Sequence, residues 1–343
     1  MNYYATFFDK NYLPRGLVLI ESLQKLDSDF TIYLLCLDID CLSFFKENVS
    51  KYPQVICIQL TDIEKQDKHL LEAKNNRSLI EYYFTLSPCL PLYLLKKYNM
   101  PHICTLDADI KFYNSPKEIF NHLENYSIII TPHKFSKINE HLKIWGQNNV
   151  SFQIFKNNDV GINCLEIWRN QCLEWCKDEL DEENNRFADQ KYLDHWDTDF
   201  PDEVKILNDE TTGIAPWNLN NYQIEFKDKT WLSNQKKLIF FHFHHNKFLT
   251  KNWATNGFKA YQVVPNKNIT QLYKDYWNSV FLVTKATNLK SENFIREKNN
   301  NFTLKNKLIA EDSVFFKLFG LVFYLNLKNT NSYIKKILFK LYA

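Results

Sequence analysis

Two carboxylates, Asp107 and Asp109, close a short apolar run in PHICTLDADIKFYNSP, residues 101–116. His102 to Leu106 has the composition of a buried strand, and in a strand residues i and i+2 point to the same side. Two like charges converging where a strand leaves its sheet need a counter-charge, and a divalent cation is the usual one. The plainer reading is a turn that begins with Asp, helped by Asn114-Ser115-Pro116; the D-x-D spacing alone leaves both open. A second group of ligand-type side chains lies in KLIFFHFHHN, residues 237–246. Read as a strand, it places His242 and His244 on one face and His245 on the other. Neutral imidazole is the commonest protein metal ligand, while histidines bonding backbone in a half-buried strand are the alternative.

The elements that must position these residues alternate along the first half of the chain. NYYATFFD (2–9), FTIYLLCLD (30–38) and QVICIQL (54–60) read as strands, and LPRGLVLIESLQKL (13–26) and CLSFFKENVSKY (41–52) as helices. Residues 79–98 carry helical patterning interrupted by Pro88 and Pro91. Further helical patterning covers INCLEIWRNQCLEWCKDEL (162–180) and FADQKYLDHW (187–196). Strands separated by helices predict an α/β fold: a mainly parallel sheet flanked by helices on both faces. Ligands in such sheets bind at the carboxyl ends of the strands, where Asp9 and the Asp107/Asp109 pair would lie. No G-x-G-x-x-G or G-x-x-x-x-G-K-[ST] motif occurs and there are only 6 glycines, so bound phosphates would need a metal rather than a glycine-rich cradle.

The 343 residues are 45% hydrophobic and 16% aromatic, which excludes a disordered chain, and the formal net charge of +2 argues against a nucleic-acid-coating surface. The 8 cysteines include no C-x-x-C pair, so neither a zinc knuckle nor a thioredoxin-type site is indicated. Cys172 and Cys176 read as a core pair on one helix. The opening residues MNYYATFFDK lack the basic-then-apolar order of a signal peptide, and a cytoplasmic location is expected.

These segments together resemble GT-A-type glycosyltransferases, closest to the bacterial family 8-like enzymes that use nucleoside-diphosphate sugars, over about Tyr3 to Trp253. The resemblance rests on FFDKNYLPRGLVLIESL, LIEYYFTLSP, CTLDADIKFYNSP, NNVSF, Trp168-Arg169, FADQKYL, APWNLNNY and FFHFHHNK in the family's order. It implies the GT-A (Rossmann-like) fold in residues 1–265, with 266–343 a C-terminal helical appendage. It implies transfer of a hexose-type sugar, with retention, from a nucleoside-diphosphate sugar, a UDP-sugar above all, to a surface-glycan or lipid-linked acceptor. Asp107, Asp109 and His242 would hold Mn²⁺, or Mg²⁺, with His244 the second choice for the imidazole. Asp9, Asn11 and Tyr12 would take the nucleoside and Lys247 the diphosphate. Asp189 and Gln190 would flank the anomeric carbon, with Asn149 and Asn218 as polar sugar contacts and Trp217 as a stacking wall.

The chain departs from the family pattern in three places. Phe84 stands where an arginine is usual, with Arg77 as a distant substitute. Ser151 stands in place of the N-x-G glycine, with Asn158–Gly161 as a second candidate for that motif, and His245-Asn246 replaces the late glycine. A catalytically inactive sugar-nucleotide-binding or scaffold protein of the same fold is the runner-up. The tail from Leu304 is lysine-rich and aromatic, and VFFKLFGLVFYLNL is shorter than the ~20 residues that span a bilayer. An interfacial amphipathic anchor on the anionic cytoplasmic face of the inner membrane is expected of it, with a helical cap on the catalytic domain as the alternative.

Overall fold

The structure, a computed structural model, describes residues 1–250, 253–289, 312–318, 321–328 and 330. Its frame is a seven-stranded sheet built from β1 (Asn2–Phe8), β2 (Phe30–Cys36), β3 (Val55–Gln59), β4 (His102–Leu106), β6 (Ile128–Pro132), β7 (Asn148–Lys156) and β8 (Val204–Ile206). The short β5 (Ile110–Phe112) lies outside it. The strand order is β8-β6-β7-β4-β1-β2-β3. The block β4-β1-β2-β3 is parallel throughout, β7 runs antiparallel to both β4 and β6, and β8 is parallel to β6. The mainly parallel α/β sheet expected from the alternation of elements is therefore present.

Side-chain alternation divides the core. Tyr4, Ile32, Leu34 and Ile154 pack with helices α1 (Leu13–Leu26) and α2 (Ile39–Glu47) on one face. Ala5, Tyr33, Leu35 and Phe155 pack with α3 (Leu79–Lys97) and α4 (Asp159–Glu174) on the other. Helix α3 runs through Pro88 and Pro91 without a break, where an interruption was expected. Each proline withdraws one N–H from the helical ladder. The helix is held in spite of this by a Ser78/Glu81 capping box and by the burial of Leu86, Cys89, Leu90 and Leu94 under the sheet.

Helix α4 stops at Glu174, short of the expected Leu180, which pairs instead in a two-residue strand with Phe187. Its last carbonyls are taken by side chains: Arg77 donates to the carbonyls of Cys172 and Leu173, and the Tyr192 hydroxyl to that of Trp175. Arg77 is thus a cap for α4 rather than a stand-in for the arginine missing at Phe84. At the other end the Asn158 side chain accepts from the Gly161 N–H, so Asn158–Gly161 is the N-terminus of α4.

The second half adds β9 (Phe240–His242), antiparallel to β5, and a four-stranded sheet of β10 (Phe248–Thr250), β11 (Trp253–Ala254), β12 (Ser313–Leu318) and β13 (Leu321–Asn326). Helix α5 (Lys267–Ala286) matches the expected helical region beyond residue 266. The described residues of the run VFFKLFGLVFYLNL do not: they pair antiparallel as β12 and β13, with Val314 and Phe315 buried and Leu321 exposed. Strand β12 is buried on both faces, Phe315 in the main core and Val314 and Phe316 with Trp253; a short apolar run rich in aromatic and β-branched residues suits such a strand. The segment YIKKILFKLYA lies outside the described residues. Among the described residues no helix is long and apolar enough to cross a membrane.

A Cβ placed on Gly161 would stand 2.1 Å from the Lys156 carbonyl oxygen, part of the backbone leading out of β7. Gly161→Ala should therefore lower stability by about 1–3 kcal/mol, read as a reduced urea midpoint, because backbone rather than a flexible side chain must yield.

Candidate active site

Strand β4 ends at Leu106, so Asp107, Ala108 and Asp109 form the turn into β5 rather than the end of a strand. The turn is fixed on both sides by backbone: Asp107 N–H donates to Ser151 O (2.9 Å), and Asp109 O accepts from Phe243 N–H (2.9 Å). The β5/β9 register sets His242 opposite Ile110. His242 Nε2 consequently stands 3.0 Å from Asp109 Oδ1 and 3.5 Å from Asp107 Oδ2. His242 and Asp109 are buried, while Asp107 is half-buried. Burial works against the charge on Asp109, but His242 outweighs it and holds the carboxyl below its usual range. Burial likewise opposes the His242 imidazolium, and Asp109 reverses the balance upward.

The Asp107, Asp109 and His242 ligand atoms all lie within 4.8 Å of one another. One imidazole nitrogen with two carboxylates is a donor set suited to Mn²⁺, and to Mg²⁺ with more oxygen ligands. The residues fit a divalent cation, which would also relieve the repulsion of the paired carboxylates. His244 lies beside His242, ring centroids 5.5 Å apart, but is not in this cluster.

The other expected residues surround the cluster in two groups. After β1, Asp9 organises its own loop: its carboxylate accepts from Asn11 N–H (2.9 Å), Asn11 Nδ2 (2.8 Å) and Tyr12 N–H (3.2 Å). Tyr12 is 38% exposed. Lys247 is exposed, and its backbone N–H is bonded to Thr255. On β7, Asn149 accepts from Ser151 N–H (2.9 Å) and its Nδ2 meets His133 Nε2 (3.0 Å). The β6/β7 register shifts between Ile130 and Thr131, opening a bulge at residues 150–152. That bulge presents the Ser151 carbonyl to Asp107, a bond that any residue at 151 makes through its backbone.

Asn218 is fully buried and its amide is spent on Ala215 N–H and the His133 and Gly213 carbonyls. It shapes the loop that carries Trp217. Trp217 donates its indole N–H to His133 O (2.9 Å) and meets His242 and His244 edge-on, so it forms a wall of the cluster. Gln190 Nε2 donates to Trp145 O (3.0 Å), and Trp168 Nε1 supports the Asp189 carbonyl (2.8 Å).

Two residues in this constellation were not singled out in the sequence. His133 bonds Asn149, Trp217 and Asn218 together, and burial holds its imidazole neutral by pushing it down to about 3. Arg15 is 4% exposed and joins the two sides of the cleft: Nε and Nη2 donate to Asn246 O (3.0 and 2.8 Å) and Nη1 to Asn11 O (3.2 Å). Its guanidinium lies over the Tyr12 ring at 4.6 Å. A lone arginine in the first turn of an amphipathic helix carried no sequence signal, although its inward position, three residues after Tyr12, breaks the apolar face.

Asp189 is 2% exposed and its Oδ2 has no hydrogen-bond partner. Burial, with the charge of Asp107 adding to it, pushes the carboxyl from 3.8 up to about 7. A carboxyl that keeps its proton only in the folded state makes stability fall as pH rises between those values. In metal-free protein, wild type should lose about 2–4 kcal/mol relative to Asp189→Asn between pH 4 and pH 8, measured as the pH dependence of the difference in urea midpoints. A difference that does not change with pH would show that Asp189 is ionised throughout.

No family model matches the chain. Among solved structures it is similar to the glycosyltransferase GlyE of Streptococcus pneumoniae TIGR4 (TM-score 0.48, 13% identity, covering 85% of this chain and 65% of that one). It is also similar to the galactosyltransferase LgtC, solved with donor and acceptor sugar analogs (0.47, 12%, 70% and 86%), and to mouse xyloside xylosyltransferase 1 (0.46, 14%, 70% and 97%). Among curated sequences, the uncharacterized protein YfnD of Bacillus subtilis (strain 168) is 26% identical over 276 residues, 80% of this chain and 87% of YfnD. The uncharacterized protein YfnF of the same organism is 30% identical over 249 residues, 70% of this chain and 80% of YfnF. At that identity and coverage, the chain belongs to the same family as YfnF.

Proposed function

We propose that this protein is a metal-dependent glycosyltransferase that moves a hexose-type sugar from a uridine-diphosphate sugar to a surface-glycan or lipid-linked acceptor. The observation that carries the reading is the convergence of Asp107, Asp109 and His242 where β4 leaves a mainly parallel sheet. A divalent cation bound by these three residues would neutralise the departing diphosphate as a Lewis acid. The Asp9–Tyr12 loop receives the nucleoside, Arg15 holds that loop against the histidine loop, and Lys247 adds positive charge near the diphosphate.

Asp189 and Gln190 lie along the donor sugar, with Asn149 and Asn218 keeping Trp217 and the bulge in place around it. The resemblance implies retention, and because an amide such as Gln190 is a poor nucleophile, attack from the face the diphosphate leaves is favoured over a covalent intermediate. The acceptor oxygen bonds to the anomeric carbon, the bond from that carbon to the phosphate oxygen breaks, and the acceptor proton passes to the leaving phosphate. Because β12 and β13 are committed to the protein, attachment to an anionic membrane surface on the cytoplasmic side would fall to the lysine-rich residues 331–343.

The test is thermal unfolding with uridine diphosphate, with Mn²⁺ or with EDTA. A ligand at 100 times its Kd stabilises by about 2.7 kcal/mol, so the melting temperature should rise by several degrees with Mn²⁺ and return on chelation. Asp109→Ala should abolish the metal-dependent part while unfolding cooperatively. Equal stabilisation of wild type and Asp109→Ala would refute the assignment of the metal ligands.

A further inference from the structure

Beside Asp107, on the α3 face of the sheet, a small cavity of about 20 Å³ is lined by Ser87, Leu90, Thr105, Val150 and Gln153 as well as Asp107 itself. Its polar groups are built rather than incidental. Gln153 is 1% exposed, and Thr105 Oγ1 donates to its Oε1 at 3.2 Å, while Nε2 is buried with no partner. Ser87 faces the carboxyl of Asp189, whose Oδ2 is also buried and unpaired. In a regular helix the Ser87 carbonyl would accept from the N–H of residue 91, and Pro91 has none. An unmet donor and several acceptors around one small space suit a single group that both accepts and donates a hydrogen bond.

We infer that this cavity receives the C2 hydroxyl of the donor sugar and so makes the enzyme selective for hexoses over N-acetylhexosamines. The inference rests on the glycosyltransferase reading above. C2 adjoins the anomeric carbon that carries the diphosphate, so its substituent is the sugar's nearest to a cavity that opens beside a metal-binding carboxylate. A volume of about 20 Å³ is just above the ~10–15 Å³ that one water needs. It admits a hydroxyl, which accepts from Gln153 Nε2 and donates to a neighbouring oxygen. It does not admit an acetamido group, which adds a carbonyl and a methyl beyond the linking atom. Leaving the Gln153 donor unpaired under a bulkier or misplaced sugar would cost a buried hydrogen bond, and sites built this way discriminate strongly.

Binding to the full chain in Mn²⁺ is measured by calorimetry for uridine diphosphate, its glucose and galactose conjugates, and its N-acetylglucosamine and N-acetylgalactosamine conjugates. At least one of the two hexose conjugates should bind about 10-fold or more tightly than its N-acetyl counterpart. Gln153→Leu, which keeps the bulk and removes the donor, should cut that ratio to within about 3-fold. Gln153→Ala, which opens the cavity, should raise affinity for the N-acetyl conjugates. N-acetyl conjugates that bind wild type as well as the hexose conjugates overturn the inference, and so does a ratio unchanged in Gln153→Leu. If uridine diphosphate binds but all four conjugates match it, the cavity holds only water and the inference fails while the glycosyltransferase reading stands. If uridine diphosphate itself does not bind, both fail.

Discussion

The rest of the site depends on the approach of His242 to Asp109. Two carboxylates at the mouth of a sheet are unfavourable by themselves, and burial makes them more so. The chain accepts that arrangement because β5 and β9 pair antiparallel, bringing in an imidazole from a segment remote in sequence. Backbone bonds carry the geometry: Asp107 N–H to Ser151 O, Phe243 N–H to Asp109 O and His242 N–H to Ile214 O. His242 is therefore placed by strand register, and Asp107 and Asp109 by the backbone bonds of the turn between β4 and β5. Register is a discrete quantity, since a slip by one residue would turn His242 to the opposite face.

Around this centre the interior is unusually polar, and most of that polarity is structural. His133, Asn149, Trp217 and Asn218 form a connected set in which one carbonyl, that of His133, accepts two side-chain donors. Such a connected buried network specifies one arrangement, and within it His133 Nδ1 is left without a hydrogen-bond partner. The atoms left unbonded are then informative. Gln153 Nε2 belongs to a residue lining the small cavity beside Asp107, and the Asp189 carboxyl lies beside Ser87, which lines it too, whereas the Asp9 carboxylate is bonded within its own loop by Asn11 and Tyr12.

What could be read in the sequence follows from how local each signal is. The bounds of α1 and the strands from β1 to β4 were legible because apolar periodicity is local and strong. Asp107, Asp109 and His242 were legible as ligand types, and their convergence was expected only through the resemblance. Arg15 and His133 were not legible, since each acts on partners that fold back from distant segments, Asn246 in one case and Trp217 in the other. Helix α3 defeated a local rule because tertiary burial outweighed two prolines. The β12/β13 pair departs from the expected membrane-surface anchor: a short apolar run beside lysines does not by itself separate helix from strand, and here both faces of β12 are buried in the protein.

That strand pair also changes what the C-terminal region is for. Trp253 and Ala254 of β11 pair with Phe316 and Phe315 of β12 on one side and with β10 on the other. Phe248, at the start of β10, places its ring 5.6 Å from the Arg15 guanidinium, and Lys247 next to it is bonded through its backbone to Thr255. A continuous path of strand pairing thus runs from residues 313–326 to the arginine that joins the Asn11 and Asn246 loops. Helix α5 closes the same path from the other side, with Tyr276 stacked on Phe243 at 3.8 Å, one residue from His242. Residues 267–286 and the strands β12 and β13 are in this sense part of the cleft's framework: they brace the segment that carries His242, and the His242–Asp109 approach depends on them.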